Sequence, residues 1–249
     1  MQLRGYTKLT LQDYPGSVAA MCFTGGCQLR CLYCHNTELV LSNEQGQAAK
    51  KTTDAFLYYL EQRSSQLGGV VISGGEPLLQ HDIQDFLYKI KRLGLTVKLD
   101  TNGLLPDKLK ELISHGLVDY AALDYKNCME HFAETVGLNN PGEQTIIEDC
   151  LNSWRDSLNC LRKSKISYEL RTTVVRELHP MYALVRMAKA ICKEAPPRER
   201  WFLQTFLRSK NLMCDYTNKD ITLSAYSVKE MEEIKQELLK TVPYIQLRG

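Results

Sequence analysis

Three cysteines fall close together in the string Cys27-x3-Cys31-x2-Cys34. In a reducing compartment, thiolates gathered this tightly read as metal-binding or catalytic before they read as disulfides. A cubane iron–sulfur cluster takes four ligands, one per iron, normally four cysteines. Three on one short loop, with no fourth beside them, leave one iron open, and an open metal position is where a substrate binds. Other chemistries fit parts of the same string. Cys31-Leu32-Tyr33-Cys34-His35 matches the Cys-x-x-Cys-His pattern of covalent haem attachment, which usually goes with export. A Cys3His zinc site using His35 is a second reading, although such ligands more often come as two separated pairs. A disulfide is the third. The remaining cysteines, at 22, 128, 150, 160, 192 and 214, are scattered. Free cysteine packs like a small hydrophobe, so these are expected to be plain thiols.

The elements that would position this loop alternate along the chain. Apolar runs rich in β-formers predict strands over Val18–Phe23, Gly69–Ser73, Thr96–Thr101, Tyr120–Asp124, Tyr168–Val175 and Arg200–Phe206. Apolar residues at three- and four-residue spacing, such as Phe86, Leu87, Ile90 and Leu93, predict helices between them. These cover Thr53–Arg63, Ile83–Leu93, Asp107–Ser114, Gln144–Lys163 and Met181–Glu194. Ser227-Val228-Lys229-Glu230 has the form of a capping box opening a last helix, and a short strand near Tyr244–Leu247 follows. Asp13-Tyr14-Pro15-Gly16 reads as a turn.

Such alternation implies parallel strands joined by right-handed crossovers, and six units suit an open or partial (β/α)6 barrel. Ligands of parallel α/β folds collect beyond the carboxyl ends of the strands. Gly25-Gly26-Cys27, Gly74-Gly75-Glu76-Pro77, Asp100-Thr101-Asn102-Gly103 and Asp124-Tyr125-Lys126 all fall at that end, which argues for one site.

The 249 residues suit one domain, with a core of about 17–208 and a C-terminal helix and short strand over 209–249. A 44% hydrophobic and 24% charged composition is that of a globular protein with a real core. The net charge of +2, with no basic run, gives no footprint for nucleic acid. The start lacks a signal-peptide h-region, and no apolar stretch approaches the roughly 18 residues needed to span a bilayer. A cytoplasmic protein without membrane contact is expected.

The string Phe23-Thr24-Gly25-Gly26-Cys27-Gln28-Leu29-Arg30-Cys31-Leu32-Tyr33-Cys34-His35-Asn36 resembles the radical S-adenosylmethionine superfamily, whose signature is this cysteine spacing with an aromatic before the third cysteine. The resemblance implies a radical SAM barrel and a 4Fe–4S cluster on Cys27, Cys31 and Cys34, with S-adenosylmethionine chelating the open iron. Reductive cleavage of its S–C5′ bond would give methionine and a 5′-deoxyadenosyl radical. It also implies cofactor contacts from Tyr33 and Asn36 and, through a motif similar to the family's Gly-Gly-Glu-Pro, from Gly74, Gly75 and Glu76, the glycines letting backbone approach the methionyl amino group.

Asp100-Thr101-Asn102-Gly103 and Asp124-Tyr125-Lys126 are similar to motifs of the glycyl-radical-enzyme activases. By that likeness Asp100, Thr101, Asp124 and the carbonyl of Ala122 would hold a monovalent cation, hard oxygens suiting such an ion; without the likeness, the same carboxylates read as helix caps or as partners of lysines. Lys126 would lie near the cofactor carboxylate, and Arg171 would meet that carboxylate or the ribose, or else pair with a barrel acid. The pyruvate formate-lyase branch has a histidine near the end of the sixth strand, where this chain has Leu207 and Arg208.

The opening Gly5–Gly16 and the string through Val40 look like activating proteins of anaerobic ribonucleotide reductase. The implied function is installation of a glycyl radical on a partner enzyme, with flavodoxin or ferredoxin as electron donor and a monomer as the default state. Two alternatives are a radical enzyme acting on a small molecule, similar to the deazapurine carboxylate synthases, and a non-catalytic iron–sulfur module.

Overall fold

The structure, a computed structural model, describes residues 1–41, 47–138, 142–192, 200–217 and 221–248. Its strands are β1 (Leu3–Thr10), β2 (Ala19–Thr24), β3 (Gly69–Gly74), β4 (Thr96–Thr101), β5 (Tyr120–Asp124), β6 (Ser167–Val174), β7 (Arg200–Thr205) and β8 (Ile245–Arg248). Its helices are α1 (Thr37–Leu41), α2 (Gln47–Arg63), α3 (Ile83–Arg92), α4 (Pro106–Ser114), α5 (Met129–Val136), α6 (Gln144–Lys163), α7 (Met181–Cys192), α8 (Met213–Tyr216) and α9 (Val228–Leu239). The predicted strands and helices are present within a residue or two at most ends. The exception is α2, which starts at Gln47 rather than Thr53. Two residues of the helix predicted over Met181–Glu194, Lys193 and Glu194, lie outside the described residues. Strand β1 and helices α1, α5 and α8 were not expected from sequence.

The chain divides into two compact units, each assembled from separated stretches. The first comprises Met1–Gln28, Glu38–Ala122 and Asn152–Ser167. Here β1 runs antiparallel to β2, with Tyr6 opposite Cys22, and β2, β3 and β4 run parallel. Val70, Val71 and Ile72 of β3 are fully buried, the signature of a parallel strand covered on both faces. Helix α3 buries Ile83, Phe86, Leu87 and Ile90, and Phe56 of α2 stacks on Phe86 with centroids 6.5 Å apart. The turn at Tyr14-Pro15-Gly16-Ser17 closes with Ser17 N–H donating to the Tyr14 carbonyl at 3.1 Å, and Gly16 takes φ +74°. Proline at the second position and a left-handed glycine at the third is a type II turn. Its Tyr14 ring is buried in a cluster with Ala19, Val71 and Tyr120.

The second unit comprises Leu29–Thr37, Leu123–Leu151 and Tyr168–Gly249. Strands β6, β7 and β8 run parallel. Edge strand β8 is pinned by Arg248, which pairs at 2.9 Å with the fully buried Glu169 and stacks 3.8 Å over the Phe202 ring. Helix α9 opens on the expected capping box: Glu230 N–H donates to Ser227 Oγ at 3.3 Å, and Ser227 N–H donates to Glu230 Oε2 at 2.7 Å. Among the described residues no helix is long and apolar enough to cross a membrane.

Candidate active site

In the first unit, the ends of β2, β3 and β4 carry three of the predicted clusters. Gly74 has φ +121°, and a Cβ there would lie 2.2 Å from the Thr24 nitrogen. At Gly75 a Cβ would come within 1.9 Å of the Gly26 carbonyl oxygen. Gly75 N–H donates to the Thr24 carbonyl and Glu76 N–H to that of Gly26, at 2.9 and 2.7 Å. The paired glycines therefore let the loop after β3 pack directly on the loop that leads to Cys27. The resemblance assigns them to ligand approach, and by themselves they read as a turn; the protein backbone already requires them.

Glu76 is almost fully buried and faces its own unit. Oε1 accepts from Leu78 N–H at 3.1 Å and Thr101 Oγ at 2.8 Å, while Oε2 accepts from Asn102 N–H at 2.8 Å. It fastens the end of β3 to the end of β4. Asp100, also buried, accepts from Lys98 Nζ at 2.5 Å, and Ala122 is fully buried in β5.

Asn102 was passed over as a site residue. Its Oδ1 accepts from Leu104 N–H at 3.0 Å, and its amide nitrogen stands 3.8 Å from Cys27 Sγ, within range of an N–H···S hydrogen bond. The signal was available, because Asn102 sits inside the motif that supplied Asp100 and Thr101.

In the second unit the remaining cysteines lie in a loop held on two sides. Arg30 and Leu32 N–H groups donate at 3.0 Å to the carbonyls of Val136 and Thr135 at the end of α5, and Met213 and Cys214 N–H groups donate at 3.0 Å to Cys34 and Leu32. The last carbonyls of a helix lack partners of their own, so α5 offers acceptors to the loop. Gly137 ends α5 at φ +80°, where a Cβ would meet the Arg30 carbonyl at 2.6 Å.

Tyr33 is buried beneath the Lys126 ammonium, 5.8 Å from the ring centroid. Lys126 and Arg171 both bind Asp124, at 2.8 and 3.0 Å. Burial would raise the Asp124 carboxyl, but the two cations outweigh it and hold it below the usual carboxylate range. Burial would likewise lower Lys126, yet Asp124, Tyr33 and Cys31 keep it well above an ordinary lysine. Lys126 thus stays charged at any working pH.

Burial pushes the Cys34 thiol up, opposed in part by the Asn36 backbone N–H and by Lys126. His35 is exposed. His179 is fully buried; its Nδ1 accepts from Val175 N–H at 3.1 Å, which leaves Nε2 to donate to the Lys126 carbonyl at 2.8 Å.

The nine cysteines are all free thiols, so no disulfide competes for the three in the loop. Among the described residues no three His, Cys, Asp or Glu side chains gather as a single metal ion would require. A cubane sets no such demand, because each thiolate takes its own iron. Three cysteines outside any disulfide, with N–H groups aimed at the Cys27 and Cys34 sulfurs, fit an iron–sulfur cluster.

A family model described as the radical SAM superfamily matches residues 21–148. The chain belongs to that superfamily. A protein assigned as a glycyl-radical enzyme activating enzyme in Methanocaldococcus jannaschii is 30% identical over 188 residues, covering 75% of this chain and 74% of the relative. The pyruvate formate-lyase-activating enzyme of Clostridium pasteurianum is 25% identical over 247 residues, covering 96% and 98%. These relatives make this radical SAM protein a member of the glycyl-radical enzyme activating family and an enzyme of that class.

The structure of Streptococcus suis SuiB bound to S-adenosylmethionine aligns with TM-score 0.63 at 14% identity, over 91% of this chain and 49% of that one. The radical SAM chain thus spans about half of SuiB. TYW1 with a lysine-pyruvate adduct aligns with TM-score 0.59 at 13% identity, over 90% and 74%. At such identities the likeness is one of fold, the expected α/β fold of parallel strands.

Proposed function

We propose that this enzyme holds a 4Fe–4S cluster on Cys27, Cys31 and Cys34, binds S-adenosylmethionine beside it, and installs a glycyl radical on a partner, namely anaerobic ribonucleotide reductase. The observation that carries the reading is the three-cysteine loop itself, with free thiols and no fourth cysteine within it. The chemistry such a cluster supplies when bound is one-electron reductive cleavage of S-adenosylmethionine, generating a radical that takes hydrogen from a glycine Cα.

The chain's own residues do the rest. The bare backbone of Gly74 and Gly75 offers carbonyls to the methionyl ammonium. Lys126, fixed by Asp124 over Tyr33, presents a permanent positive charge for the methionyl carboxylate. Arg171 braces the same aspartate from β6. Glu76 acts as a positioning residue, since its carboxylate is engaged by three protein donors. The likeness of Gly5–Val40 to ribonucleotide reductase activating proteins supports that partner, with flavodoxin or ferredoxin supplying the electron.

The test is anaerobic reconstitution with iron and sulfide, followed by reductant and S-adenosylmethionine. 5′-Deoxyadenosine forms with wild type and not with Cys31→Ala, and the reductase gains a glycyl-radical EPR doublet. Product without any doublet on the reductase or on pyruvate formate-lyase would move the reading to a small-molecule substrate. A full, reducible cluster with no product in the presence of either partner would leave the non-catalytic module.

A further inference from the structure

The likeness to the activases assigns a monovalent cation to Asp100, Thr101, Ala122 and Asp124. In this chain the groups that would ligate it are already engaged. Lys98, two residues before Asp100, shares its face of β4, because side chains on one face of a strand recur with period two. Its ammonium is 1% exposed and lies 2.5 Å from Asp100 Oδ1, with the Tyr120 ring 5.9 Å away as a second, weaker partner. Thr101 donates its hydroxyl proton to Glu76 and accepts from Gly103 N–H at 3.1 Å. Within the other unit, Asp124 is bound by Lys126 and Arg171. A sodium or potassium ion replaces its water shell with several oxygens. Here it would have to displace a buried ammonium, which among the described residues has no other carboxylate partner and is costly to leave unpaired.

We propose that Lys98 supplies, as part of the chain, the positive charge facing Asp100 that an inorganic cation supplies in the likeness, so that cofactor binding does not depend on which monovalent cation is present. Lys98 is a positioning residue: it fixes Asp100, and through it the end of β4 where Thr101 and Asn102 begin. This rests on the S-adenosylmethionine reading above.

The test measures S-adenosylmethionine affinity of the reconstituted holoenzyme in sodium, potassium and N-methyl-D-glucamine chlorides at equal ionic strength. Wild-type Kd stays within about twofold across the three salts. Lys98→Met, which takes the ammonium away from Asp100, binds about tenfold more weakly in N-methyl-D-glucamine and is rescued by potassium or sodium, whereas Lys98→Arg behaves as wild type. A wild-type enzyme that binds only with potassium or sodium overturns the inference, as does a Lys98→Met variant indifferent to salt. Binding in none of the salts sinks the cofactor reading itself, and the inference with it. Should Lys98→Met not fold, rubidium-soaked wild-type crystals decide the matter. No anomalous peak at Asp100 is expected, and a peak there refutes the proposal.

Discussion

Asn102 and His179 show how much a single side chain can set here. Hydrogen bonds to cluster sulfurs raise the reduction potential by stabilising the more negative, reduced state. Asn102→Asp keeps the acceptor for Leu104 N–H but replaces the donor beside Cys27 with a carboxylate. The potential, followed by anaerobic spectropotentiometry, is expected to fall by roughly tens of millivolts while iron content is unchanged.

His179 makes a pH prediction. Burial lowers its pKa from 6.5 to about 4 despite the two backbone hydrogen bonds. Below 6.5 the unfolded chain takes up a proton that the folded chain refuses, so stability is complete above that value and lost as pH falls toward 4. The loss reaches ~3 kcal/mol. His179→Gln, with an acceptor and a donor but no titration, flattens the denaturation midpoint against pH across that window. The sequence shows that these residues are present; it does not show that one faces a sulfur and the other a backbone carbonyl.

At the scale of elements, the loop bearing the cysteines is shaped by segments that sequence patterns overlooked. Helix α5 is eight residues long and α8 only four, too short for a periodic apolar face to stand out. Yet α5 and α8 supply the hydrogen bonds that hold the loop from Leu29 to Thr37. Gly137→Ala forces an L-residue into a left-handed conformation, costing ~1–2 kcal/mol before its contact with the Arg30 carbonyl is counted. The measurement is thermal unfolding together with iron retained after reconstitution, and both are expected to drop. Gly75→Ala is the harsher change, since its Cβ would come within 1.9 Å of a backbone oxygen rather than 2.6 Å. It is expected to abolish S-adenosylmethionine binding, read by titration of reconstituted protein. The long helices and parallel strands were legible because their periodicity is sustained; β1 was not, since its residues are mostly half-buried or exposed.

Over the whole molecule, residues beyond Arg208, which carried little meaning in the sequence, belong to the second unit's framework. Strand β8 pairs with β7, and Met213 and Cys214 bond to the cysteine loop. A chain ending at Arg208 is expected to lose its cluster, measured as iron per chain against about four for the chain of 249 residues. Values near eight in the chain of 249 residues would contradict a single cluster.

What the sequence by itself determined is what covalent order encodes: the cysteine spacing, the glycine pairs at strand ends, the alternation that yields parallel strands, and the Ser227 cap. Those depend on neighbours within a few residues. The tertiary structure alone decided which partner each polar group takes. Asp124 and Arg171 are 47 positions apart, as are Thr172 and the Tyr125 carbonyl. Asp100, read either as a cation ligand with Thr101 or as a lysine's partner, accepts from Lys98, while Thr101 donates to Glu76. Burial explains the difference, because a charge removed from water must find its counter-charge in whatever the fold brings close.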